Sequence, residues 1–159
     1  MLTWLTETTV GKIVATFFIS MAPVVELRAG LPYGIALGLD YPVALTAAVL
    51  GNLLPVPFII VFIRRIFEWL RKKSSRLNGL ITGLENKAHL KGHLVQKYGP
   101  LGLCLLVAIP LPGTGAWTGA LVAAFLDLRM KRAVPSIVVG VLIAAAIMTA
   151  VTYGVIHIF

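Results

Sequence analysis

Apolar runs and polar interruptions alternate along this chain in an order that occurs twice. Val10–Val25 is apolar apart from Lys12 and, as a helix rising about 1.5 Å per residue, reaches roughly 24 Å, short of a hydrocarbon core of about 30 Å. It meets Pro23 and then Glu26-Leu27-Arg28-Ala29-Gly30-Leu31-Pro32, where a carboxylate and a guanidinium stand two residues apart. A second short run, Tyr33–Leu39, ends at the turn-forming Asp40-Tyr41-Pro42. Read as one helix, Val10–Leu39 is too long for a normal span and buries Glu26 and Arg28 near its middle. Read as two half-length helices, it is a re-entrant hairpin turning at Glu26–Pro32, with its non-helical backbone sheltered by protein or water. We adopt the hairpin. Pro42–Ile63 then spans comfortably, about 33 Å if helical, with a kink expected around Asn52, Pro55 and Pro57.

The second half repeats that order. Tyr98–Ile109 is a short apolar run, broken by Pro110-Leu111-Pro112-Gly113-Thr114-Gly115-Ala116-Trp117-Thr118-Gly119; Ala120–Leu126 is the short return, Asp127–Arg132 the polar turn, and Ala133–Phe159 the long span. A shift of 87 residues superposes Pro23 on Pro110, Ala29 on Ala116, Ala36 on Ala123, Leu39 on Leu126 and Asp40 on Asp127. The expected fold is therefore an all-α integral membrane protein forming a single domain over 1–159. Repeat 1 covers about 10–63 and repeat 2 about 98–159, joined by a basic amphipathic linker, 64–97.

Composition supports the membrane: 58% of residues are hydrophobic, 13% are charged, and the mean hydropathy is +0.94. A formal charge of +8 raises nucleic acid as a partner. However, Arg64, Arg65, Arg71, Lys72, Lys73, Arg76, Lys87, Lys91 and Lys97 all fall in the linker, as cytoplasmic loops do under the positive-inside rule, so no nucleic acid is expected. With the linker cytoplasmic, the first hairpin opens outward and the second inward, where its turn carries Arg129, Lys131 and Arg132. That is the inverted-repeat plan of many secondary transporters, and it places both termini outside. Trp69 and its basic neighbours suit anionic lipid headgroups, and a solvated basic loop is the alternative. The chain start lacks the basic residues of a cleaved signal peptide, so it is expected to be retained.

The candidate chemistry is sparse. Charge at membrane depth is normally kept only where it faces a cavity, a partner or a substrate, which singles out Glu26 and Arg28. Arg28 offers a fork of donors matched to phosphate or carboxylate, and Glu26 is a candidate for taking up and releasing a proton. Gly113, Thr114 and Gly115 precede a return helix whose N-terminus favours an anion, and Gly30 and Gly119 are expected to let the two tips approach. Pro32, Pro110 and Pro112 shape the tips, and Trp117 is expected to pack or, alternatively, to line the substrate path. Alternatively, Glu26 and Arg28 only brace a tip, and the Pro-Gly break is a turn without a ligand. Asp40 and Asp127 are expected at turns or caps, and Asn52 to satisfy a neighbouring helix. Cys104 is the sole cysteine, so no intrachain disulfide can form, and His89 and His93 lack a third ligand for a metal. No catalytic set can be assembled from three histidines and six acids, so neither an enzyme nor a cofactor is expected.

The Glu26–Pro32 and Pro110–Gly119 motifs, at this separation in a chain of this size, resemble the small multidrug export family, which is related in fold to the DedA superfamily of membrane proteins. The resemblance covers nearly the whole chain. It implies two re-entrant hairpins packed tip to tip among spanning helices. For the DedA relatives it implies lipid translocation, notably recycling of the undecaprenyl phosphate carrier, with acidic and arginine residues in the membrane needed for it. This sequence has its acid and arginine in the first hairpin alone, so a mechanism requiring charges in both hairpins does not transfer. The expected function is proton-coupled flipping of an anionic, phosphate-bearing amphiphile, by a homodimer. The alternatives are an exporter of lipophilic cations, with Glu26 binding the substrate, and a non-transporting scaffold.

Overall fold

A computed structural model describes residues 7–158 apart from 24, 74 and 112, and every regular element among these residues is a helix. In chain order they are α1 (Thr9–Met21), α2 (Glu26–Ala36), α3 (Tyr41–Leu53), α4 (Pro55–Lys73), α5 (Ser75–Lys91), α6 (His93–Tyr98), α7 (Pro100–Ala108), α8 (Ala116–Phe125) and α9 (Met130–Ile158). Local chemistry sets several boundaries. The Thr8 hydroxyl accepts the Gly11 N–H at 3.1 Å and caps α1. Pro42 and Pro100 stand in the first turns of α3 and α7, where a missing N–H costs nothing.

Two helices are long and apolar enough to cross a membrane, Tyr41–Ile63, which runs from α3 into α4, and Met130–Gly154 within α9; their mean hydropathies are 2.2 and 2.4. The expected kink falls at Leu54, between Leu53 and Pro55. By contrast α1, α2, α7 and α8 have 13, 11, 9 and 10 residues. None exceeds about 20 Å, so none crosses a core of about 30 Å alone.

α1 and α2 form an antiparallel hairpin sealed by small residues. A methyl group added to Gly30 would lie 1.7 Å from Ser20 Oγ, and one on Gly34 would lie 2.8 Å from Thr16 Oγ1, so the arms touch along Thr16/Ser20 and Gly30/Gly34. The two buried hydroxyls are satisfied within α1, Thr16 donating to the Lys12 carbonyl and Ser20 to the Thr16 carbonyl, both at 2.8 Å. α3 packs on α1 as closely, since a methyl on Gly51 would lie 2.2 Å from the Phe17 carbonyl oxygen. In the second half, Gly119 of α8 meets Val107 of α7, and Gly140 of α9 meets Val107 and the Cys104 carbonyl.

Particular backbone features recur between the two halves, at an offset that changes at the tips. Up to the end of the first arm it is 87 residues: the extended caps Ala22 and Ile109 correspond, as do Phe17 and Cys104 against Gly51 and Gly140. Beyond the tips it is 89. Gly38 and Asp127 share a positive φ, +80° and +55°. Leu39 N–H bonds the Gly34 carbonyl as Leu128 N–H bonds that of Ala123, and α3 and α9 begin at Tyr41 and Met130. The second tip thus carries two additional residues. Pro23/Pro110 is a correct correspondence, whereas the pairs beginning Ala29/Ala116 are displaced by two; Glu26 corresponds to Gly115, Arg28 to Trp117 and Asp40 to Arg129.

The basic segment also differs from the expected single amphipathic helix. Residues 64–73 continue α4 without a break, and α5 turns back to pack on α4 and α8, burying Ile81 and Ala88. Helix α4 alone is amphipathic, with Trp69 exposed and Phe67 buried against Phe125 at a ring separation of 5.7 Å. The side chains at 64, 71, 73, 76, 77, 80, 84 and 91 lie outside those described. His89 and His93 fall on different helices, α5 and α6.

Two apolar clusters fill the interior. One joins α4, α7, α8 and α9 around Val56, Leu103, Val107, Ala120 and Ile137. The other joins α2, α3 and α9 around Leu27, Leu31, Ala44, Ala48 and Ala145.

Candidate functional site

The turns of the two hairpins lie at residues 22–25 and 109–115, and side chains from each reach the backbone of the other. Glu26 and Arg28 therefore stand in the first turn of α2 and not in a non-helical tip. Pro32 lies inside α2, where its ring removes the N–H that would bond the Arg28 carbonyl. Glu26 opens α2 with φ +49°, a left-handed conformation that costs a non-glycine residue about 1–2 kcal/mol. That conformation aims its carboxylate away from α2 and across to α8.

There the carboxylate acts as the N-terminal cap of α8. The Trp117 N–H donates to Glu26 Oε1 at 3.1 Å, the Ala116 N–H also faces the group, and the residue is 4% exposed. Gly115 makes this approach possible. Its φ of +119° belongs to glycine, and a methyl there would lie 1.9 Å from Glu26 Oε2. The N-terminus expected to favour an anionic ligand is occupied by the chain's own Glu26 carboxyl group.

Arg28 grips the same tip through neutral oxygens. Its guanidinium donates to the Leu111 carbonyl, and to the Thr114 carbonyl and hydroxyl at 2.8 Å each. Thr114 in turn closes the tip on itself, its hydroxyl within 2.6 Å of the Ile109 carbonyl and 2.7 Å of that of Leu111, which follows Pro110. Gly113, at φ +76°, turns the chain, and its carbonyl accepts the Thr118 hydroxyl at 3.1 Å. Pro112 lies outside the described residues.

A third strut runs the other way. The Trp117 indole N–H donates to the Met21 carbonyl at 3.0 Å, satisfying an acceptor at the C-terminal end of α1. Trp117 stands 89 residues after Arg28, and each donates to a backbone carbonyl of the opposite hairpin, Trp117 to the end of its first arm and Arg28 to its turn. Trp117 was expected to pack or to line a substrate path, and sequence reading missed the Met21 carbonyl altogether. Gly30 and Gly119 do serve close approach, but between the arms of one hairpin and not between the tips. Thr16 and Ser20, also missed, signalled themselves by the same four-residue spacing as Gly30 and Gly34.

Asn52 is 3% exposed, and among the described residues its Oδ1 has no hydrogen-bond partner, so through that atom it does not satisfy a neighbouring helix. Asp40 is the N-cap residue of α3, where its backbone carbonyl and not its side chain accepts.

Residues 26–147 match the family model described as "Putative small multi-drug export protein". The chain belongs to that family. The match begins at Glu26, the start of α2, and takes in the second tip, α3, α4 and most of α9. No curated protein and no solved structure matches the chain. Family and apolar helices together make this small multi-drug export family member a membrane protein, and the family points to a transporter.

Proposed function

We propose that this family member is a proton-coupled transporter that flips an anionic, phosphate-bearing amphiphile, such as a polyprenyl-phosphate lipid carrier. The observation that carries the reading is the Glu26 carboxylate seated on the N-terminus of α8 beside an Arg28 whose hydrogen bonds end on neutral oxygens. A proton on Glu26 cancels the charge that holds it there. The vacated helix N-terminus and the adjacent guanidinium then present donors to a second anion, and a phosphate supplies several acceptor oxygens to both. Loss of the proton returns Glu26 to α8 and expels the cargo.

In the same proposal the two hairpins are re-entrant, which their arm lengths favour, and the halves are inverted repeats of the DedA type. The linker is cytoplasmic and bound to anionic headgroups, both termini are external, and the chain works as a homodimer. No catalytic step, metal or cofactor enters this cycle.

The test uses proteoliposomes with a pH gradient. Wild type moves a phosphate-bearing lipid across the bilayer, and Glu26→Gln and Arg28→Ala variants that still insert do not. Normal translocation by both variants removes the mechanism. Protection against a lipophilic cation that needs Glu26 but not Arg28 favours the cation exporter instead. One observation favours the scaffold reading: among the described residues, the side-chain hydrogen bonds of Glu26 and Arg28 already go to the opposite hairpin. That reading predicts no lipid movement by wild type.

A further inference from the structure

A carboxylate on α8 is an acceptor only; once protonated, it carries an O–H that needs an acceptor of its own. Asn52 Oδ1 is a buried side-chain oxygen without a partner, in a residue 3% exposed. An acceptor stranded in this way carries the desolvation penalty of the group, and a state that gives it a donor is favoured by relieving that penalty.

Its position follows from helix register. α2 and α3 run antiparallel with Gly34 against Ala44, and stepping two turns along each helix brings Glu26 level with Asn52. Leu27, next to Glu26, and Ala48, one turn from Asn52, share a cluster. On α3 and α4, Asn52 lies on the stripe of Val49, Leu53 and Val56, which packs in the cluster holding Ala116, at the start of α8. Register thus brings Asn52 level with Glu26, whose carboxylate lies on the α8 N-terminus, on a stripe that packs in the same cluster as Ala116. The counterpart of Asn52 in the second half is Val141, as Gly115 is that of Glu26, so both polar groups belong to one half.

We propose that Asn52 Oδ1 is the acceptor for the protonated carboxyl of Glu26, receiving its O–H when the acid lets go of the Trp117 N–H. This rests on the reading of Glu26 as the proton carrier. The charged group facing Glu26 is Arg28 on its own helix. Within α8 there is no titratable residue, nor in α9 between Arg132 and Tyr153. Tyr41 stands at the far end of α3, and Lys12 of α1 lies beside Gly38 at the opposite end of the hairpin.

Infrared difference spectroscopy of the full chain in lipid bilayers tests this. Acidification of wild type produces a carboxylic acid C=O band that Glu26→Gln removes. In Asn52→Val and Asn52→Ala that band moves to higher wavenumber, as for an O–H without an acceptor, and its pH midpoint falls by roughly half a unit to one unit. Wild type with 13C-labelled asparagine gives the same answer without substitution, because the Asn52 amide C=O band shifts as Glu26 protonates. An unchanged asparagine band, or an unmoved Glu26 band in the folded variants, overturns the Asn52 assignment and leaves Glu26 as proton carrier. Absence of any Glu26-dependent band in wild type overturns the proton reading itself, and this inference with it.

Discussion

Substituting Gly115 by alanine separates the clamp between the tips from ordinary packing. The added methyl meets Glu26 Oε2 at 1.9 Å, and the backbone at φ +119° disfavours any L side chain. Two costs are therefore expected. Backbone strain contributes about 1–3 kcal/mol. Displacement of the carboxylate removes a charge-assisted bond from Trp117, about 1.5–3 kcal/mol. Together they amount to about 3–6 kcal/mol. At about 2–4 °C per kcal/mol for a chain of this size, the melting temperature falls by at least 6 °C or so. The assay is thermal unfolding in lipid nanodiscs followed by tryptophan fluorescence, run in wild type and again in a Glu26→Ala background. Without the carboxylate only the backbone term remains, so Gly115→Ala costs about 1–3 kcal/mol there, and the difference is the coupling between the two positions. Equal costs in both backgrounds would refute the cap on α8.

Further expectations follow from the same geometry. Trp117→Phe keeps the ring but strands the Met21 carbonyl, and loses about 1 kcal/mol in the same unfolding assay. Gly51→Ala drives a methyl to 2.2 Å from the Phe17 carbonyl and parts α1 from α3, seen as loss of folded protein on size exclusion. Tyr41→Phe removes the 2.6 Å bond to Thr149 far from the tips, costing about 1 kcal/mol while lipid translocation is unchanged. Arg28→Lys retains the charge but cannot span the Leu111 and Thr114 carbonyls with one planar fork; translocation falls although the protein remains folded.

The helix–break–helix–span order was legible because it rests on run lengths: Val10–Val25 and Tyr98–Ile109 are too short to cross, and Pro42–Ile63 is long enough. The turn itself was misplaced. Pro32 reads as a helix breaker, yet it sits inside α2, while the chain turns at 22–25, before Glu26. The two additional residues in the second tip stayed hidden because alanines and leucines match at many offsets in so apolar a chain. Only the hydrogen-bonded turns after Ala36 and Phe125 fix the register at 89. The candidate residues were found by type, since a buried acid and an arginine stand out against Leu, Val and Ala. Their partners were not, because Leu111, Thr114 and Met21 contribute backbone carbonyls, and a carbonyl has no letter in the sequence. The role of Gly115 was hidden for the same reason, as it is defined by a carboxylate 89 residues earlier.

The most direct test of the central claim is the magnetic dipolar coupling between 13Cδ of Glu26 and the 15N amide of Trp117, measured by solid-state NMR in bilayers. The account predicts a clear coupling in the resting protein, lost when a short-chain phosphate-bearing amphiphile is added and restored when it is washed out. A coupling absent at rest, or unchanged at saturating amphiphile, would contradict the claim that carboxylate and phosphate take turns at the start of α8.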